Sequence, residues 1–68
     1  MTNTLIKDFL ATYTKYTDVK VYVYVNSRRI EIKNAKILKD RVLNNFYEDL
    51  KGKEILYKDI EYVQLVGY

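Results

Sequence analysis

The stretch Leu38–Tyr47, "LKDRVLNNFY", reads either as part of a helix or as a turn followed by a strand. As helix it belongs to a run from Ala35 to Leu50. Ala35, Leu38, Val42, Leu43, Phe46, Tyr47 and Leu50 then share one face, which Lys39 and Asp49 interrupt and from which Ile37 is excluded. Gly52 would be its C-cap, and at the start only Asn34 is available as a cap. As strand, "AKIL" extends the preceding strand, "KDR" turns, "VLNNFYED" returns, and "LKGK" closes a hairpin through Gly52. Periodicity alone favours the helix. Composition opposes it, because "VLNNFY" is poor in strong helix formers.

The flanking segments are clearer. Thr2 or Asn3 can cap a first helix, and Leu5, Ile6, Phe9, Leu10 and Tyr13 recur at helical spacing to about Thr14. In "DVKVYVYVN" the valines 19, 21, 23 and 25 alternate with Lys20, Tyr22, Tyr24 and Asn26, which predicts a strand with valines on one face. Asn26 and Ser27 supply a turn, and "RIEIK" returns antiparallel with Ile30 and Ile32 inward. The last segment, "KEILYKDIEYVQLVGY", is strand-like throughout. The strand reading folds it at Asp59 and gives both halves a partner. It therefore predicts a helix and connector over 1–16 and a five-stranded antiparallel barrel over 17–68, in one domain. The competing architecture is α+β: helix, hairpin, a second helix over Ala35–Leu50, then strand.

Composition narrows the chemistry. A chain of 68 residues builds one small core, and such cores usually need a staple or a partner. Cysteine and histidine are both absent, which removes disulfides, thiolate metal sites, the commonest general base and the commonest zinc ligand. No cofactor and no enzymatic activity are expected. A net charge of +3 suits a nucleic-acid binder without requiring one. Eight tyrosines suit half-buried sheets, interfaces and base stacking, although packing a thin core accounts for most of them. There is no apolar run of membrane-spanning length and no basic-then-apolar signal at the start, so a soluble, cytoplasmic protein is expected.

The strand layout resembles the Sm-like family, which includes the Lsm proteins and the bacterial chaperone Hfq. Ala35 stands at the small position of the first Sm motif, Ile37 at the apolar one, then Asp40, Leu43 and Asn44 follow in order. The interval from Ala35 to Asp40 is one residue shorter than usual. In the second motif Ile55 and Leu56 form the apolar pair. Tyr57 and Lys58 replace Arg-Gly and look like the Tyr-Lys-His of Hfq, with Asp59 at the histidine position.

The resemblance implies a homo-oligomeric ring, hexamer or heptamer, that binds single-stranded U-rich RNA around its pore. Asn44 would read a uracil edge, Asp40 would orient Asn44, and Val42 would occupy the stacking position, where an aromatic or histidine is common. Tyr57 could supply the stacking instead, and Lys58 with Lys39 or Arg41 could meet phosphates. Plainer readings compete at each position: Asp40 as a turn residue, Asn44 as a backbone partner, Tyr57 as core.

The edge strands point to assembly whatever the family. Glu61–Val66 contains no Lys, Arg or Pro, so as a terminal strand it invites pairing with another chain. Pairing it with the fourth strand, Lys53–Lys58, of a neighbouring copy gives a head-to-tail contact that can close into a ring. The alternative function is a small protein-binding regulator or inhibitor, of the kind found in phages and plasmids, with no RNA site.

Overall fold

The computed structural model describes residues 3–45 and 53–67. Helix α1 spans Asn3–Tyr13, and strands follow at Val19–Val25 (β1), Arg28–Ile32 (β2), Ala35–Ile37 (β3) and Arg41–Asn44 (β4). Beyond them come β5 (Glu54–Leu56), a 3-10 turn over Tyr57–Asp59, and β6 (Tyr62–Gly67). The disputed stretch is strand, turn and strand. A helix over Ala35–Leu50 is thus overturned for its described part, and with it the α+β alternative. Phe46 to Gly52, including the expected hairpin closure and the expected C-cap, lie outside the described residues.

The expected five-stranded barrel is also corrected. Among the described residues six strands form two antiparallel sheets, ordered β2–β1–β6 and β3–β4–β5, and no ladder joins them. The cause lies at Lys33–Asn34. The segment expected as one long strand is broken there by Asn34, whose φ of 56° lies in the left-handed region. The chain leaves the first sheet as β2 and enters the second as β3. Between the sheets a cleft of about 450 Å³ stays open, lined by Val25, Arg28, Ile30, Ile55 and Asp59 among others.

Local rules account for the elements that were read correctly. In β1, Val21 and Val23 are buried while Tyr22 and Tyr24 point to the other face. Asn26 and Ser27 take φ of 51° and 64°, the two left-handed positions of a tight hairpin. That turn sets the register Val25↔Arg28 and Val23↔Ile30. β6 pairs on the opposite side of β1, with Val21↔Leu65 and Tyr24↔Tyr62. Ile6 and Leu10, four residues apart, are the buried contacts of α1, and Leu5 is left exposed. They join Val21, Val23, Ile30, Ile32, Val42, Ile55, Tyr57 and Ile60 in one core. Burial of each such aliphatic side chain contributes about 1.5–3 kcal/mol, which is how so small a chain offsets its ordering entropy.

Candidate nucleic-acid interface

The residues expected to contact RNA separate into an exposed turn and a buried clamp. Residues 38–41 form the turn, in which the Leu38 N–H donates to the Arg41 carbonyl at 2.9 Å. Tyr57 holds it from below. Its N–H donates to the Asp40 carbonyl at 3.1 Å, and its hydroxyl donates to the Leu38 carbonyl at 2.5 Å. The Tyr57 ring is wholly buried, and burial pushes its phenol above the usual range. Lys39, Asp40 and Lys58 are exposed around this turn, and Arg41 is half-buried.

Arg41 pairs with Asp40 at 2.9 Å and also with Glu54. The hydrogen-bonded guanidinium holds the Asp40 carboxyl below its ordinary value. The charge of Arg41 is therefore already matched within the chain. Lys39 and Lys58 are exposed beside this turn.

Val42 and Asn44 are brought elsewhere. Both are fully buried on β4, at alternate positions facing the core. The Asn44 amide spans the two sheets: its oxygen accepts from the Lys33 N–H at 3.0 Å, and its nitrogen donates to the Glu31 carbonyl at 2.8 Å. This is the backbone-bonding role that competed with base reading. Asp40 and Asn44 are not hydrogen-bonded to each other, so the expected orienting contact is replaced by the Asp40–Arg41 pair. Among the described residues no group of three or more Asp or Glu could hold a metal ion, and no helix is long and apolar enough to cross a membrane.

A second surface was not singled out from sequence. The outer face of the β2–β1–β6 sheet carries Lys20, Tyr22 and Tyr24 from β1, Arg29 and Glu31 from β2, and Tyr62, Gln64 and Val66 from β6. Tyr24 and Tyr62, directly opposite in register, stack with ring centroids 4.2 Å apart and planes within 13°. The Tyr24 hydroxyl donates to Gln64 Oε1 at 2.7 Å. The Arg29 guanidinium lies 4.5 Å from the centre of the Tyr22 ring. Partial desolvation, then the neighbouring Tyr24 and Glu61, push the Tyr62 phenol up, so it stays neutral at physiological pH. The available signal was the alternation itself: valines turned inward on β1 force Tyr22 and Tyr24 outward.

No protein-family model matches the chain, and neither a curated protein nor a solved structure matches it significantly.

Proposed function

We propose that this chain is a homo-oligomeric, non-enzymatic module that binds single-stranded RNA. The observation that carries the reading is the state of β6. It is the terminal strand of its sheet, with one edge paired to β1 and no partner on the other among the described residues. Tyr62, Leu65 and Val66 remain 51%, 37% and 37% exposed along it. It has no Lys, Arg or Pro to discourage pairing. β5 ends the other sheet, with no partner on its outer edge among the described residues. Adding β5 of one copy to β6 of the next satisfies both edges with a head-to-tail contact, which closes into a ring when the rotation allows. It also buries apolar surface that a chain of this size leaves in water.

The RNA component is supported by the basic balance of the chain and by Lys39 and Lys58 flanking the Tyr57-held turn. U-rich RNA is the expected ligand. Native mass and an RNA titration test the reading together. Light scattering at micromolar concentration should give a multiple of 8.2 kDa. Affinity for oligouridylate should fall steeply with salt. A monodisperse monomer would remove the assembly, and salt-independent absence of binding would remove the RNA.

A further inference from the structure

We propose that the outer face of the β2–β1–β6 sheet is a stacking platform for single-stranded RNA, with Tyr62 and Tyr24 meeting bases and Arg29, held over the Tyr22 ring, facing a phosphate. The inference rests on the RNA-binding reading above and names the surface that serves it. Three tyrosines stand on one sheet face, with Tyr22 and Tyr24 about 7 Å apart along β1 and Tyr62 beside Tyr24. A two-ring stack already exists, and half of the Tyr62 surface is open to solvent, so a base can extend it. Arg29 lies across the Tyr22 ring, where a guanidinium can stack and bond a phosphate at once.

The composition of the face selects the occupant. Among the described residues its aromatics are all tyrosine and its only aliphatic side chain is Val66, so it lacks the aliphatic anchors that an amphipathic helix needs. Lys20 and Arg29 stand here with Glu31, and Glu61 borders Tyr62, so the ring faces and the Arg29 guanidinium, rather than net charge, favour a strand of bases and phosphates. Duplex bases are already stacked inside their helix, so the exposed rings favour a single strand. Backbone pairing at the β6 edge extends this sheet sideways and leaves its outer face open, so assembly and platform are compatible.

The test is fluorescence anisotropy of labelled oligouridylate, about 12 nucleotides long, titrated with the full chain. The variants are Tyr24→Leu/Tyr62→Leu and Tyr62→Trp. The double variant should weaken binding at least about tenfold with native mass unchanged. The chain has no natural tryptophan, so Tyr62→Trp supplies a single emitter that RNA should quench. Unchanged affinity in the double variant would overturn the platform while leaving RNA binding intact at another surface. No binding by the unaltered chain at low salt would overturn both. Loss of binding together with loss of the native mass would make the face an interface between copies and overturn the platform. Should the double variant fail to fold by circular dichroism, the Tyr62→Trp signal decides, and absence of quenching counts against the proposal.

Discussion

The two sheets have the same number of strands and are held by different means. In β2–β1–β6 the strands run to 5, 7 and 6 residues, and alternation alone defines an inner valine and isoleucine face and an outer tyrosine face. In β3–β4–β5 the strands are only 3, 4 and 3 residues long, too short for a self-sufficient ladder. That sheet depends on side chains reaching distant backbone: Asn44 across to β2, and Tyr57 to the turn before β4. One sheet is specified by a repeating pattern, the other by two individual polar contacts.

Substitutions that separate these two modes should differ in size. The largest effect is expected for Asn44→Ala, which leaves the Lys33 N–H and the Glu31 carbonyl without their buried partner. It should cost about 2–4 kcal/mol, a large share of what a chain this small can hold, and shift the urea midpoint of the circular-dichroism transition accordingly. If it instead leaves stability intact and weakens only RNA binding, the base-reading role returns and the clamp is wrong. Tyr57→Phe keeps the ring in the core and removes one hydrogen bond, so about 1–2 kcal/mol should be lost in the same measurement. In the patterned sheet, Ser27→Gly relieves a left-handed non-glycine residue. Thermal melts should show a gain of about 0.5–1 kcal/mol, and a loss would refute the turn geometry.

The smallest effect is expected from the Asp40–Arg41 pair, which water screens. The Asp40 carboxyl lies below its ordinary value of 3.8 in the folded chain, so its contribution is present above that pH and fades as pH falls through the lower folded value. Asp40→Asn should lower stability slightly at neutrality, flatten the acid limb of the stability curve below about pH 4, and change nothing at pH below the folded value.

The same contrast explains what the amino-acid sequence disclosed. Elements set by local rules were legible: α1 from the spacing of Ile6 and Leu10, β1 from its alternating valines, the hairpin from Asn26 and Ser27. In "LKDRVLNNFY" the weak helix propensity pointed the right way against a helical period, because burial of Val42 and Asn44 at alternate positions decided the outcome. The division into two sheets was not legible. It turns on one left-handed Asn34, and an asparagine tolerates that conformation without requiring it.

The candidate site was half legible for the same reason. Lys39, Asp40 and Lys58 are exposed around one turn, whereas Val42, Asn44 and Tyr57 face inward, in line with the plainer readings of Asn44 as backbone partner and Tyr57 as core. Asn44 as an inter-sheet clamp depends on Glu31 and Lys33, more than ten positions away in the chain. The tyrosine face was written in the β1 alternation, but its completion by Tyr62 required the β1–β6 register.

The Asn44 amide has a consequence for how the molecule comes apart. One side chain fastens the main chain around β2 to β4, so opening one three-stranded half away from the other breaks both Asn44 hydrogen bonds. Amide hydrogens at Lys33 and in β1 should then exchange through a single shared opening. A cut before β3 would also part β6 from β1, because the C-terminal strand belongs to the first sheet.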